Sequence, residues 1–293
     1  MNEGIFTKQT TINNYFTRRL STINVVNKST VGLCPALKFA GRKDGPLQLR
    51  LRDDLILLCP NKYNAYGHCL YYFLGQRLGV YSKNELLQIR KLSELIGKSM
   101  SKAFNERELR SNAGASPYFN GTLFSLYALI RYLKPNKVVQ TGVASGVSSS
   151  LILLALKNNE RGKLIDIDLP NRQKDGYQYK DGTLDTVFTP EGLDPGWVVP
   201  QDLRERWSLH LGSSEEILPR IGACDIFYHD SEHSYENMMF EYKWAYSHLS
   251  NHGILASDDI GWNNAWRDFH KENKDLYPLL GNLSHGISQK NAV

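Results

Sequence analysis

The stretch Lys137-Val138-Val139-Gln140-Thr141-Gly142-Val143-Ala144-Ser145-Gly146 decides the fold. Its first five residues are a short β-branched run, and they enter a turn punctuated by two glycines. Residues 147–157 then carry apolar side chains at helical spacing. A strand, a glycine turn and a helix make the opening unit of an open α/β sheet. In such sheets ligands lie at the carboxyl ends of the strands, and glycine lets the main chain approach them. The Gly-x-x-x-Gly spacing differs from the dinucleotide fingerprint and from the phosphate loop that ends in Gly-Lys-Ser/Thr, which disfavours NAD and ATP. By itself such a turn serves simple helix-strand packing equally well.

Outward from this stretch the pattern alternates. Residues 123–133 form an amphipathic helix stopped by Pro135. The second strand is Lys163–Asp168, the third Trp207–Leu211, the fourth 225–229 and the fifth 253–257, with helices from about Ser214 and over 233–249. Alternating helices and strands predict a parallel, Rossmann-like α/β sheet for residues 111–293. Residues 170–200, rich in Gly, Pro and Asp, are too long for an ordinary connection and read as a lid or substrate loop. Residues 1–110 read as a basic α+β extension with a substrate or oligomer role. It comprises a polar arm over the first 40 residues, a hairpin over 47–59 turning at Asp53-Asp54, and helices over 66–78 and 83–104. There is no internal repeat.

The longest apolar runs fall far short of the roughly 20 residues of a membrane helix. The polar N-terminus lacks a secretion signal, so a cytoplasmic location is expected. Cys34, Cys59, Cys69 and Cys224 are unevenly spaced without a Cys-x-x-Cys pair and read as buried thiols. Residues 1–110 carry a net charge of +10 and residues 111–293 a net charge of −5. The basic half suits an anionic partner or a solvated surface. Its Lys and Arg are scattered, which disfavours nucleic acid. A homo-oligomer is compatible with all of this.

Acidic residues cluster at the ends of the expected strands. Asp166 and Asp168 close the second strand on one side of it, and an acid there can accept from both hydroxyls of a ribose. Asp230 follows the fourth strand, while Asp258 and Asp259 follow the fifth. Three carboxylates brought together at neighbouring strand ends require a cation, and an all-oxygen set suits Mg²⁺, Mn²⁺ or Ca²⁺. Each acid alone reads as well as a helix cap or a surface turn. His233, at the expected start of a helix, is the candidate base because the helix dipole disfavours its charged form. Glu232 is an alternative base, and His229 reads as buried strand.

These residues resemble the class I S-adenosylmethionine-dependent methyltransferases, within them the metal-dependent small-molecule O-methyltransferases of the macrolide-sugar and catechol type. The resemblance spans roughly residues 118–270. It is carried by Val138 to Gly146, Ile167-Asp168-Leu169-Pro170, Gly212-Ser213-Ser214, the run Phe227 to Glu236, and Gly253 to Asp259. It implies that Gln140, Gly142, Ala144, Ser145, Gly146 and Ser148 hold the methionine end of S-adenosylmethionine, that Asp168 grips the ribose, and that Ser213 and Ser214 flank the adenine. It further implies a divalent metal, Mg²⁺ first, on Asp230, Asp258 and Asp259, with His233 as base and Asp230 also in the catalytic set. The acceptor is then a hydroxyl on a small molecule or sugar-containing metabolite. Gln140 stands where the family has an acid and contributes no charge. The chain also ends soon after Asp268, so only a remnant of the family's closing hairpin, over 283–289, is expected. The alternatives are a methyltransferase acting on nitrogen or nucleic acid and a non-catalytic nucleoside-binding subunit.

Overall fold

In the computed structural model the residues described are 82–106, 119, 121–170, 182, 189–190, 192–281 and 285–291, with strand segments 47–51, 55–59, 177–178 and 184–185. The first pair, β1 (Leu47–Leu51) and β2 (Leu55–Cys59), are antiparallel partners, as the expected hairpin requires. Its turn at Asp53-Asp54, the polar arm and the helix expected over 66–78 lie outside the described residues. Among the described residues no helix is long and apolar enough to cross a membrane.

Helix α1 (Lys83–Glu106) begins at a reciprocal cap. The Ser82 hydroxyl accepts from the Glu85 N–H, and the Glu85 carboxylate accepts from the Ser82 N–H at 3.0 Å. Ile89, Leu92, Ile96 and Met100 then repeat at three- and four-residue spacing and are buried. They join one core with Leu126 and Ile130 of α2 (Gly121–Leu133) and with Leu153 of α3 (Val147–Asn158). Lys134 ends α2 in the left-handed region, and Pro135 prevents continuation. Helix α3 is buried from Val147 to Leu156, as an apolar helix covered on all sides must be.

Seven strands form the main sheet: β3 (Lys137–Thr141), β4 (Lys163–Asp168), β7 (Trp207–Leu211), β8 (Cys224–His229), β9 (Leu249–Ser257), β10 (Leu276–Gly281) and β11 (Gly286–Lys290). The two-residue strands β5 (Tyr177–Gln178) and β6 (Leu184–Asp185) pair separately within the segment after β4. The sheet order is β10-β11-β9-β8-β3-β4-β7. The five strands from β9 to β7 are parallel, and β11 and β10 close the edge in antiparallel pairing. The closing hairpin is therefore complete, not a remnant. Its first strand begins at Leu276, in a run whose central Pro278 hid it from pattern reading, at an edge where proline is tolerated. Strand β9 also starts four residues earlier than expected, directly from the end of α5 (Tyr235–His248).

Side-chain alternation divides the strands between two cores. Val138, Leu164, Ile226 and Ile254 face α1, α2 and α3, while Val139, Ile167, Phe227 and Leu255 face α5 and α6 (Ala265–Glu272). Across the first core, Arg131 of α2 meets Glu85 at 2.6 Å, and the Tyr127 hydroxyl donates to Glu85 at 2.7 Å. Both partners of the ion pair are nearly sealed from water. Burial raises the Glu85 carboxyl, but Arg131 and Tyr127 outweigh it and hold it below its ordinary value. Glu85→Ala leaves Arg131 buried without its partner, and the expected cost in urea unfolding is about 3 kcal/mol. A loss below about 0.5 kcal/mol, the scale of an exposed pair, rules out this pair as the anchor of α1.

Candidate active site

The chain runs from β3 outward to β4 and β7 and then crosses to β8 and β9 on the other side. The carboxyl ends of β3 and β8 therefore flank the point where the winding reverses, which is where open α/β sheets bind ligands. In register, Thr141 lies opposite His229, and His229 opposite Ser257. The segments leaving these residues, Gly142 to Gly146, Asp230 to His233 and Asp258 to Trp262, thus emerge side by side.

The glycine turn is shaped chiefly by its protein neighbours. Gly142 has φ +78, and a side chain there would meet the Asp230 carbonyl oxygen at 1.8 Å. Gly146, at φ +94, packs on Gly196 and Val199, and the Gly196 and Val198 N–H groups donate to the Ala144 and Ser145 carbonyls. The expected close approach thus belongs first to the chain itself: Gly142 permits contact with the loop after β8, and Gly146 seats the end of the 170–200 segment. Asp168 is buried and accepts from the Val143 and Ala144 N–H groups at 2.9 and 2.7 Å and from its own neighbour Leu169 at 2.7 Å. Asp166 is sealed beneath it, accepting from the Ser149 hydroxyl and the Trp207 indole at 2.6 and 2.8 Å.

Gln140 donates to the Gly142 carbonyl at 2.9 Å and to the Ser148 hydroxyl at 2.8 Å. Among the described residues its Oε1 is buried with no partner, as is the Ser145 hydroxyl. Two orphaned polar atoms beside one turn are a demand for a polar ligand, since buried polar groups are otherwise paired. Ser213 spends its hydroxyl capping the short helix α4 (Ser214–Ile217), while Ser214 reaches Asn237 at 3.3 Å.

On the other face, Glu241 of α5 is fully buried and accepts from Thr141 at 2.5 Å, Ser231 at 2.8 Å and Asn237 at 3.3 Å, and pairs with His229 Nδ1 at 2.7 Å. Burial raises this carboxyl, but His229 and the surrounding hydroxyls overcome the effect and lower it. Sequence reasoning placed His229 correctly in buried strand and missed Glu241. The available signal was an acid on the core-facing side of α5, one residue before buried Tyr242 and three after buried Met238.

The acids after β8 and β9 do meet, unequally. Burial, and then Asp258 within hydrogen-bonding reach, push the Asp230 carboxyl well above the usual carboxylate range, with Asp259 adding to the effect. Asp258 is raised by burial and brought below its ordinary value by His285, with His233 contributing. Asp259 is raised by burial and by Asp258. His285 Nε2 lies 2.5 Å from Asp258 Oδ1. His285 sits just before β11 and was not foreseen, because nothing near it in sequence is acidic. Among the described residues no group of three His, Cys, Asp or Glu is already gathered as a metal cluster. The expected trio is a close pair, Asp230 and Asp258, with Asp259 beside it. His233 precedes Ser234, the residue that caps α5, so it stands outside the helix. Its ring packs edge-on to His229 at 5.1 Å and faces Trp262 at 6.1 Å. Of the cysteines, Cys224 is a buried free thiol, and burial pushes it up to about 12.

A protein family described as a methyltransferase domain matches residues 139–260. The solved O-methyltransferase NovP superposes with a TM-score of 0.51 at 16% identity, over 71% of this chain and 100% of its own. The O-methyltransferase TomG from Streptomyces achromogenes is similar at a TM-score of 0.47 and 14% identity, over 68% of this chain and 90% of its own. No curated protein sequence matches the chain. The family match covers residues 139–260, and the superposition on NovP shows that the chain has a methyltransferase-type fold.

Asp166 supplies a test of the strand-end burial. Desolvation pushes its carboxyl up to about 7, against donation from Ser149 and Trp207. A raised folded-state pKa contributes stability that is complete below the unfolded value and is lost as pH rises through the folded one. Asp166→Asn should therefore gain stability relative to the unmodified protein as pH rises from about 5 to about 8. Denaturation midpoints whose difference stays constant across that window contradict the burial.

Proposed function

We propose that the protein methylates a hydroxyl of a small molecule, using S-adenosylmethionine and a divalent cation. The observation that supports this most directly is the contact between the Gly142 turn and the Asp230 backbone, which sets the turn proposed for the cofactor against the acid pair Asp230 and Asp258. A methyl donor and an acceptor hydroxyl held at these two places are neighbours.

The residues suit the cofactor. Gln140 Oε1 and the Ser145 hydroxyl are the unsatisfied polar atoms that the methionine end would engage, beside Gly142, Ala144 and Gly146. Asp168, held at the carboxyl end of β4 by the Val143, Ala144 and Leu169 N–H groups, is the acid proposed to meet the ribose. Ser148 orients Gln140, and Ser213 and Ser214 border the adenine side. S-adenosylmethionine itself supplies the reactive carbon, so the protein contributes positioning, exclusion of water and removal of one proton.

The acids suit a cation in their chemistry. Asp230 and Asp258 are oxygen donors forced together at a cost that a positive charge relieves, and Asp259 is the adjacent third donor. Asp230, Asp258 and Asp259 would hold a divalent ion, Mg²⁺ in the first instance, which would supply Lewis-acid assistance to an acceptor hydroxyl. His233, between the buried His229 and the open Trp262, is placed to take the acceptor's proton. The segment 170–200, whose end is hydrogen-bonded to the Ala144–Ser145 turn, is the proposed source of acceptor specificity.

Turnover with and without a chelator is the primary test. Activity on a hydroxyl acceptor should vanish with chelator and return with added Mg²⁺; full activity in chelator removes the metal from the reading. Asp259→Ala is expected to lose turnover while binding S-adenosylhomocysteine within about threefold of the unmodified protein, because the acids touch the acceptor side. Calorimetry of that variant separates a lost metal site from a lost cofactor site. His233→Ala should lower kcat about a hundredfold or more, the scale of a removed general base. An unchanged kcat transfers the role to another group, with Glu232 next in reach of the same loop.

A further inference from the structure

Three buried oxygen atoms at or beneath the glycine turn have no hydrogen-bond partner among the described residues: Gln140 Oε1, the Ser145 hydroxyl and Asp166 Oδ1. Gln140 and Asp166 lie opposite one another in register on β3 and β4, and both side chains are sealed from water. Their orientations are fixed by partners that can act in one sense only. The Gly142 carbonyl can only accept, so the amide turns its NH₂ group toward it and its Oε1 away. The Trp207 indole can only donate, so Asp166 turns Oδ2 toward it and Oδ1 away.

Ser149, in the first turn of α3, joins the two. Its hydroxyl donates to Asp166 Oδ2 at 2.6 Å and accepts from Gln140 Nε2 at 3.4 Å. A chain of hydrogen bonds therefore runs from carboxylate to hydroxyl to amide and ends at Gln140 Oε1, and each bond in such a chain polarises the next. A charge on Asp166 makes Oε1 a stronger acceptor, and a neutral carboxyl makes it a weaker one. Burial pushes the Asp166 carboxyl up to about 7, against Ser149 and Trp207, with Asp168 adding to the rise. β3 faces it with Gln140, α3 with Ser149 and β7 with Trp207, over which the Arg204 guanidinium lies at 5.1 Å, while its own strand adds Asp168. A carboxylate sealed in this way is stabilised by a cation placed at the other end of the chain.

We infer that Asp166 is a positioning residue for the cofactor: acting through Ser149 and Gln140, its carboxylate holds the α-ammonium of S-adenosylmethionine at Gln140 Oε1. The methionine end of that cofactor carries two charged groups. Its carboxylate calls for donors and its ammonium for acceptors, and Oε1 is an acceptor. Binding of the ammonium favours the ionised carboxyl, so the proton that Asp166 carries in the free protein passes to solvent as the cofactor enters. Affinity consequently rises as pH rises toward about 7 and levels off above it. The inference rests on the proposed binding of S-adenosylmethionine at the Gly142 turn and adds a buried proton to it.

The test is calorimetric binding of S-adenosylhomocysteine and of methylthioadenosine to the unmodified protein, Asp166→Asn and Ser149→Ala. The first ligand carries the ammonium, and the second has the same nucleoside without it. For the unmodified protein, affinity for S-adenosylhomocysteine should rise about tenfold from about pH 5.5 to about pH 7.5, with about one proton released near the acid end when buffers of different ionisation enthalpy are compared. Both variants should bind it with less than about a twofold change across that range and, at its upper end, about three- to tenfold more weakly than the unmodified protein. Methylthioadenosine should bind all three proteins equally and without pH dependence, which shows that the variants are folded. Ser149→Ala carries the comparison should Asp166→Asn fail to fold. Affinity for S-adenosylhomocysteine that does not change with pH in the unmodified protein, a slope retained in the variants, or the same slope for methylthioadenosine overturns the role of Asp166 alone. Failure of the unmodified protein to bind either nucleoside overturns the cofactor site and the inference with it.

Discussion

A carboxylate sealed from water has to be surrounded by donors, and Glu241 meets that demand by binding the ends of the strands that carry the site. Thr141 closes β3, His229 closes β8, and Ser231 and Asn237 belong to the loop and helix that follow; all four turn toward one side chain of α5. Removing any of these donors leaves part of a buried charge uncompensated. The carboxyl ends of β3 and β8 are thereby held in one arrangement, and Asp230 and the Gly142 turn, which grow from those ends, inherit it.

The opposite face of the same edge is held by comparable means. Gln140 and Asp166, in register on β3 and β4, point toward the hydroxyls of Ser148 and Ser149 at the start of α3. Strand alternation accounts for the division, since Gln140 and Thr141 must face opposite ways. Above this polar layer Asp168 fastens the glycine turn through the Val143 and Ala144 N–H groups, and Gly146 seats the end of the 170–200 segment. The turn is thus fixed by the chain's own hydrogen bonds and packing, the kind of support that positioning of a reactive group calls for.

Local pattern was informative wherever burial is periodic. The strands β3, β4 and β7 begin and end where alternation and β-branched content put them, and α3 follows the glycine turn as read. The acids Asp230, Asp258 and Asp259 could be found because they directly follow strands. Glu241 escaped notice because an acid in a helix ordinarily faces water, and only packing shows that this one cannot. His285 escaped notice because its partner Asp258 is far away in sequence and the intervening strand β10 contains a proline. His233, expected at the start of a helix, lies one residue before the cap at Ser234.

What the amino-acid order determined by itself is the succession of strands, turns and helices and the polar residues waiting at each strand end, because hydrogen bonding and side-chain periodicity act over a few residues. The tertiary structure alone decided which ends became neighbours. It placed β8 beside β3, joined Asp230 to Asp258 more closely than to Asp259, delivered His285 from the closing hairpin and left Trp262 in the open. Those outcomes follow from sheet order and from the balance of burial against charge, and both are properties of the assembled chain.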